Sequence, residues 1–189
     1  MNKKEIRKEV LFRRNAITGK LKKSKDRTIG ERLMNLSEFQ NARAILFYAS
    51  FRSEVDTFNL IKYCLGKNIT TVLPKVDTAN NDLKLYKIKN TGELASGYYG
   101  IPEPSVSDDR KMSIEDIDLI IVPGVAFDER CSRLGYGEGF YDKLLARKLC
   151  PVIALSYEEQ ILPSVPSEPH DIKIDKIITD KRIIDCHGY

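Results

Sequence analysis

Short apolar runs alternate along the chain with stretches of helical periodicity, and this alternation limits the possible folds more than any other feature. The apolar runs cover residues 43–50, 69–76, 118–127 and 151–157, and most lack the polar alternation of a half-exposed strand. Strands that are apolar on both faces are typical of parallel sheets buried between two layers of helices. The pattern therefore predicts an α/β fold, a single three-layer domain with a mostly parallel sheet covered by helices on both faces.

Helical periodicity separates these runs. The stretch that begins at Lys3 places Ile6 and Val10 on one face and Lys and Arg on the others, which predicts an amphipathic helix. Further helices are predicted over about 25–36, 56–65 and 140–149, a half-exposed strand over 83–88 and a last strand within 172–179. Residues 92–107 are rich in Gly, Pro and Ser, which predicts an ordered surface loop. No repeat or linker interrupts the pattern, so we predict one domain over residues 1–189.

Composition argues against several classes of protein. The 189 residues are 42% hydrophobic and 31% charged, and the net charge of +4 is small. The basic stretch 3–27 contains a single aromatic residue, Phe12, which favours a solvated helix face over a nucleic-acid site. Four cysteines without a C-x-x-C pair and two histidines predict neither a zinc site nor disulfides. No apolar run approaches the roughly 20 residues of a membrane span, so we expect a cytoplasmic monomer without membrane or nucleic-acid partners.

The segment that carries most chemical information is residues 133–142, R-L-G-Y-G-E-G-F-Y-D, between a buried strand and a helix. Its alternate glycines let successive N–H groups and the helix N-terminus form a phosphate cradle. Arg133 adds a charge-assisted phosphate contact, and Asp142 is placed to hold Mg²⁺. The pattern is neither a P-loop nor a Rossmann fingerprint. On spacing alone, a tight structural turn fits the glycines equally well. For a carboxylate at the position of Asp142, interaction with the helix dipole is the commoner role.

This segment, together with P-G-V-A-F-D before it, resembles the signature of the 5-formyltetrahydrofolate cyclo-ligase family. Other segments follow in the family's order: K-x-x-x-R at Lys3 and Arg7, S-F-R-S-E-V-D-T around Glu54, G-I-P-E-P at 100–104, and a closing P-x-E-x-H-D. The matches extend from residue 3 to residue 180. Cys131 and Glu138 depart from the pattern, because the family usually has glycine at the first position and often at the second.

The resemblance implies an ATP- and Mg²⁺-dependent enzyme. Its reaction would convert 5-formyltetrahydrofolate, with or without a polyglutamate tail, to 5,10-methenyltetrahydrofolate with release of ADP and phosphate. ATP would phosphorylate the formyl oxygen, and N10 of the folate would then attack the activated carbon. Such a reaction needs positioning and charge neutralisation more than a strong nucleophile, and the chain offers glycine amides, basic side chains and carboxylates.

The family's functional positions map onto residues of this chain. The implied catalytic residues are Arg133 and Tyr141. The implied ATP-binding residues are Lys3, Lys4, Arg7, Arg133, Leu134, Gly135, Tyr136, Gly137, Glu138, Gly139, Phe140 and Tyr141. The implied folate-binding residues are Arg7, Ala49, Phe51, Glu54, Tyr136, Gly137, Glu138, Gly139 and Phe140. The implied Mg²⁺ ligands are Asp142 and Asp171.

Three other hypotheses remain open from the residues alone. The first is a regulator that binds ATP and folate without turnover, with Cys131 and Glu138 as the causes. The second is a sugar-phosphate isomerase or acyltransferase of similar architecture, because fold does not determine function. It predicts no ATP requirement and leaves the glycine-rich segment unexplained. The third is a nucleic-acid-binding module, for which binding would fall steeply with salt.

Overall fold

The computed structural model describes residues 2–168 and 172–186. The helices are α1 (Lys3–Asn15), α2 (Gly19–Met34), α3 (Ser37–Asn41), α4 (Phe58–Gly66) and α5 (Phe140–Leu145). The strands are β1 (Ala44–Leu46), β2 (Thr70–Asp77), β3 (Asp82–Ile88), β4 (Leu94–Ser96), β5 (Pro102–Pro104), β6 (Lys111–Met112), β7 (Leu119–Val122), β8 (Ala126–Asp128), β9 (Arg133–Leu134), β10 (Val152–Leu155), β11 (Ile161–Leu162), β12 (Lys176–Ile178) and β13 (Ile183–Asp185). No helix within the described ranges is long and apolar enough to cross a membrane.

An eight-stranded sheet in the order β13-β12-β10-β7-β1-β2-β3-β6 forms the centre of the molecule. Strands β12, β10, β7, β1 and β2 run parallel, and β13, β3 and β6 are antiparallel to their neighbours. In the register of β1, Ile45 lies opposite Thr71 on one side and Leu119 on the other. The predicted mostly parallel sheet is therefore confirmed, and the antiparallel strands lie at its two edges.

Both faces of this sheet are buried. Alternate strand residues such as Ile45 pack on one face against Ile29 and Leu33 of α2 and Ile61 of α4. Their neighbours, among them Leu46, pack on the other face with Leu144 and Leu145 of α5 and with Ile114 of a 3₁₀ turn. Because side chains alternate across a strand, strands that are apolar throughout supply both layers at once. The predicted covering of both faces is confirmed.

Helix α1 packs outside the main sheet. It begins with a capping box, in which the Asn2 side chain accepts from the Glu5 N–H and the Glu5 side chain accepts from the Asn2 N–H. Its apolar face, Ile6 and Val10, is buried against Val125, which precedes β8, and Leu134 of β9. Strands β8 and β9 belong to a small sheet with strand order β11-β8-β9. This packing places the first turns of α1 next to the glycine-rich segment that follows β9.

The apolar run at 118–127, predicted as one strand, is divided between two sheets. Strand β7 belongs to the main sheet and β8 to the small one. The break falls at Pro123, which has no N–H for a sheet ladder, and at Gly124, where a Cβ would lie 2.4 Å from Cζ of Phe127. The chain therefore leaves the main sheet at the carboxyl end of β7.

Two other predicted boundaries are wrong. Helix α2 begins at Gly19 rather than near residue 25, and α5 ends at Leu145 rather than near 149. In addition, strand β13 was not predicted. The segment 92–107 is also more than a surface loop. It forms the antiparallel pair β4–β5, and the Glu103 side chain is buried and accepts from the Val76 N–H at 3.2 Å.

The expectation of no disulfide is also wrong, because Cys131 and Cys186 form one, with Cα atoms 6.0 Å apart. Such a separation is within the usual range for a disulfide. The sequence did not reveal the pair, since the two residues are 55 positions apart and come together only when the tail returns as β13. Cys64 and Cys150 are free.

We expect reduction of this disulfide to lower the free energy of unfolding by about 2–4 kcal/mol, because a long closed loop restricts the unfolded chain. Urea unfolding with and without a thiol reductant measures the difference. In oxidising buffer, Cys186→Ser should match the reduced wild type, while Cys150→Ser should keep the oxidised stability. Equal midpoints for oxidised and reduced wild type would contradict the prediction.

Candidate active site

A cleft of about 760 Å³ opens where the chain leaves the carboxyl ends of β1 and β7. Ligand sites of open α/β sheets usually lie at this edge, and the volume is within the usual range for small-molecule sites. The predicted residues that line it are Lys3, Arg7, Ala49, Phe51, Glu54, Arg133, Leu134, Gly135, Tyr136, Gly137, Glu138, Gly139, Phe140, Tyr141 and Asp142. Lys4 is exposed and is not among the lining residues, and Asp171 lies outside the described residues.

The glycine-rich segment is held in place from α1. The Arg7 Nε donates to the Gly135 carbonyl at 2.8 Å. Gly137 has φ +117°, and a Cβ there would lie 3.7 Å from the Arg7 guanidinium carbon. Gly139, with φ +72°, is the residue from which α5 begins. Two glycines with positive φ thus turn the backbone beside a basic side chain, which is the arrangement needed for a phosphate cradle.

Arg133 and Asp142 form an ion pair at the base of this segment. Nη2 of Arg133 lies 2.7 Å from Oδ1 of Asp142, and the Arg133 side chain is only 3% exposed. Its Nε has no hydrogen-bond partner, and its guanidinium lies over the Tyr141 ring at 5.7 Å. A buried donor without a partner is costly, so the hydrogen bonding of Arg133 is incomplete in the cleft as it stands.

The side chains that could act as metal ligands determine whether a metal ion can bind in the cleft. Within 2–168 and 172–186, no group of three or more His, Cys, Asp or Glu side chains is close enough to hold a metal ion by itself. Mg²⁺ is usually bound through one or two carboxylates together with substrate phosphates. Asp142, partly exposed beside the glycine-rich segment, fits a metal that arrives with a nucleotide.

Glu54 is held from two directions. Its Oε2 accepts from the Phe51 N–H at 2.8 Å, and its Oε1 accepts from the Tyr136 hydroxyl at 2.6 Å. Burial raises the pKa of Glu54, whereas these two hydrogen bonds and the charges of Arg14 and Lys22 oppose the shift. The carboxylate is thus aimed into the cleft as an acceptor for N–H groups of a ligand.

Aromatic side chains cover much of the wall. Burial raises the pKa of Tyr141, and the Glu54 charge adds to the effect, so its hydroxyl stays protonated as a donor. Sequence reasoning missed Tyr98 and Tyr99, which the β4–β5 segment brings to the cleft. Tyr98 meets the Phe140 ring edge-on at 5.9 Å, and Tyr99 is 71% exposed with φ +53°. These rings offer flat surfaces for a heterocyclic ligand.

The two departures from the family pattern behave differently in the structure. Cys131 is buried and has φ +64°, so it follows the left-handed path that glycine takes most easily. Glu138 is exposed.

A second cleft of about 570 Å³ lies between β3, β6 and α5, and none of the predicted site residues lines it.

Comparisons with known proteins agree with the geometry. Residues 1–180 match the 5-formyltetrahydrofolate cyclo-ligase family. The 5-formyltetrahydrofolate cyclo-ligase of Mus musculus is 27% identical over 93% of this chain and 92% of its own. The enzyme of that name from Haemophilus influenzae is 29% identical over 93% and 96%.

A solved structure extends the likeness to the fold. The NMR structure of Aquifex aeolicus 5,10-methenyltetrahydrofolate synthetase superposes with a TM-score of 0.89. It is 32% identical, and the match covers 100% of this chain and 95% of that one. A family match over nearly the whole sequence and a structural match over all of it lead to one conclusion. The chain belongs to the 5-formyltetrahydrofolate cyclo-ligase family.

Proposed function

We propose that the protein converts 5-formyltetrahydrofolate to 5,10-methenyltetrahydrofolate with cleavage of ATP and release of ADP and phosphate. The observation that carries the proposal is one cleft with two unlike ends. Arg7, Arg133 and the glycine-rich segment form a cationic, amide-rich end, while Glu54 and the aromatic side chains form the other. Family membership makes a folate and a nucleotide the natural ligands of these two ends. It also argues against the isomerase and acyltransferase hypotheses.

The amide-rich end suits the phosphates of ATP. The segment 135–139 would supply backbone N–H groups, and Arg7, Arg133 and Lys3 would supply positive charge. Asp142, with Asp171 as the family resemblance implies, would hold Mg²⁺. When bound, the metal neutralises phosphate charge. The chain's own residues would orient the two substrates. Arg133 would stabilise charge on the phosphoryl oxygens while the phosphoryl group is transferred from ATP to the formyl oxygen.

The aromatic end suits the folate. The Glu54 carboxylate would accept from N–H groups of the pterin, with Ala49 and Phe51 beside it. Because its hydroxyl stays protonated, Tyr141 would act as a donor rather than as a base. N10 would attack the activated formyl carbon, and the formyl oxygen would leave as part of phosphate, once the aromatic side chains exclude water from the cleft.

An absorbance assay tests the proposal. Purified protein is mixed with 5-formyltetrahydrofolate, ATP and Mg²⁺, and the near-ultraviolet band of the methenyl product is followed. We expect a signal that requires both ATP and Mg²⁺. Absence of the signal while calorimetry still detects both ligands would favour the non-catalytic regulator, and Cys131→Gly would then be the next protein to assay.

Glu54→Gln is expected to weaken 5-formyltetrahydrofolate binding by about 10- to 100-fold, since a hydrogen bond to a charged group contributes about 1.5–3 kcal/mol. Folate affinity should also fall as the pH drops through the raised pKa of Glu54, because protonation removes the acceptor charge. Calorimetric titration between pH 5 and pH 8 measures both effects. A pH-independent affinity in wild type, or an unchanged affinity in Glu54→Gln, would remove this residue from the folate site.

The predicted monomeric state and cytoplasmic location remain proposals. Light scattering on the purified protein measures the first. For the second, the Cys131–Cys186 disulfide supplies a probe, because stable disulfides are rare in a reducing cytoplasm. Alkylation of thiols in cells lysed directly into denaturant should label all four cysteines if the location is correct, since Cys64 and Cys131 are buried in the folded protein.

A further inference from the structure

A buried arginine that the mechanism above does not use lies beneath the cleft. Arg14, in the last turn of α1, is 3% exposed, although its neighbour Arg13 points to solvent and pairs with Glu9. Burial of a charged group is unfavourable unless its donors are satisfied and its charge is compensated. The contacts of Arg14 therefore indicate what holds it there.

Each end of the Arg14 guanidinium reaches a different segment. Nε donates to the Ser53 hydroxyl at 3.0 Å, and Nη1 donates to the Gly124 carbonyl at 3.3 Å. Nη2 donates to the Tyr136 hydroxyl at 2.9 Å, and the guanidinium carbon lies 5.8 Å from the centre of the Tyr136 ring. One side chain thus joins the segment after β1, the point where the chain leaves β7, and the glycine-rich segment.

The direction of the hydrogen bonds is fixed by chemistry. Arginine can only donate and an ionised carboxylate can only accept. The Tyr136 hydroxyl must therefore accept from Arg14 and donate its proton to Glu54, at 2.9 Å and 2.6 Å. A cation behind a hydroxyl polarises it and makes it a stronger donor. The result is a directed chain from Arg14 through Tyr136 to Glu54.

We propose that Arg14 is a positioning residue for the folate site, which acts through Tyr136 to hold the Glu54 carboxylate ionised and aimed at the pterin. The inference rests on the proposed function. Its ligand is the N–H edge of the pterin, which Glu54 would contact. Tyr136 is 49% exposed, so without Arg14 its ring is free to leave Glu54 and open this side of the cleft.

Other groups also face Glu54 and act together with this chain. They are Lys22 of α2, Tyr48 after β1, Tyr141 of α5, and Tyr157, whose hydroxyl donates to Asp26 and lies 3.4 Å from the Glu54 backbone carbonyl oxygen. The three tyrosines are buried or partly buried neutral donors, so Arg14 and Lys22 supply the positive charge. Loss of Arg14 leaves Lys22 in place, and we therefore expect a partial rather than a complete effect.

The test begins with the free protein. Carbon-13 NMR of the Glu54 carboxyl carbon, assigned with Glu54→Gln, is followed against pH in wild type, Arg14→Met, Tyr136→Phe and the matched control Arg13→Met. We expect the Glu54 midpoint to rise by about half a unit to one unit in Arg14→Met and Tyr136→Phe and to stay unchanged in Arg13→Met. An unchanged midpoint in the first two variants would overturn the inference. Should Arg14→Met not fold, Tyr136→Phe alone decides.

A second measurement asks whether Arg14 acts through Tyr136. The dissociation constant for 5-formyltetrahydrofolate, measured by calorimetry, should rise about tenfold in each single variant. The double variant should be no weaker than either single one. Additive losses would overturn the coupling. If wild type binds no folate, the proposed function fails and the carboxyl titration alone still decides the role of Arg14.

Discussion

Asp142→Ala is expected to lower the turnover rate by about a thousandfold or more, the largest effect of any single substitution considered for this cleft. The carboxylate is the described residue best placed to hold Mg²⁺, and its loss also removes the partner of Arg133 at 2.7 Å. An arginine side chain that is 3% exposed would then be left without a counter-charge. Both losses would weaken the stabilisation of the charge that develops during phosphoryl transfer, which is why the turnover rate should fall.

Two measurements separate the metal role of Asp142 from its structural role. The first is ATP affinity by calorimetry with and without Mg²⁺, where we expect the metal to strengthen binding less in Asp142→Ala than in wild type, because one of the two proposed carboxylates is lost. The second is urea unfolding, where the unpaired Arg133 should cost about 1–3 kcal/mol because Asp142 is partly exposed.

Asp116→Ala, which removes an exposed carboxylate elsewhere, serves as the control and should leave rate, affinity and stability unchanged. Turnover in Asp142→Ala within about threefold of wild type would refute a metal role for this residue. A Mg²⁺ effect on ATP affinity that is as large in the variant as in wild type would do the same.

The sequence predicts the central sheet well because burial on two faces leaves a continuous apolar signal. The strands built around Ile45, Leu119 and Ile153 all lie in such runs, and their parallel pairing follows from the helices between them. The same signal cannot show where a run changes sheet. The break at Pro123–Gly124 depends on the Phe127 ring packing against Gly124, a contact that only the folded chain creates.

The site was predictable in part. The glycine-rich segment carries its own backbone requirement, and residues so close in sequence must be neighbours in space. Contacts between distant segments are harder to predict from the sequence. Examples are the disulfide of Cys131 with Cys186 and the position of Tyr98 and Tyr99 on the wall of the cleft. One further feature of the sequence indicated a buried residue of the site but was not used in the prediction.

That signal concerns Arg14. It continues the apolar stripe of Ile6 and Val10 at a spacing of four residues, so it projects from the buried face of α1. A solvated basic face, predicted from the abundance of Lys and Arg, describes Arg13 correctly and Arg14 wrongly. A charged residue on an apolar stripe needs buried partners, and this requirement points to a site even before a structure is known.

Gly137→Ala is expected to weaken ATP binding by about 10- to 100-fold. A backbone φ of +117° is accessible to glycine and strained for alanine, at a cost of about 1–3 kcal/mol. Space is not the obstacle, since the new Cβ would lie 3.7 Å from the Arg7 guanidinium carbon, an ordinary contact distance. The strain would move the N–H groups that are proposed to bind phosphate, and it would disturb the Arg7 contact with the Gly135 carbonyl.

Gly66→Ala is the matched control, because Gly66 ends α4 with nothing within 4 Å of the new Cβ and no positive φ. Calorimetry with a non-hydrolysable ATP analogue compares the two variants, and urea unfolding checks that both are folded. We expect Gly66→Ala to bind the analogue like wild type. Wild-type affinity in Gly137→Ala would mean that nucleotide phosphates do not contact this turn, and the phosphate site would then have to be sought around Lys3 and Arg133 alone.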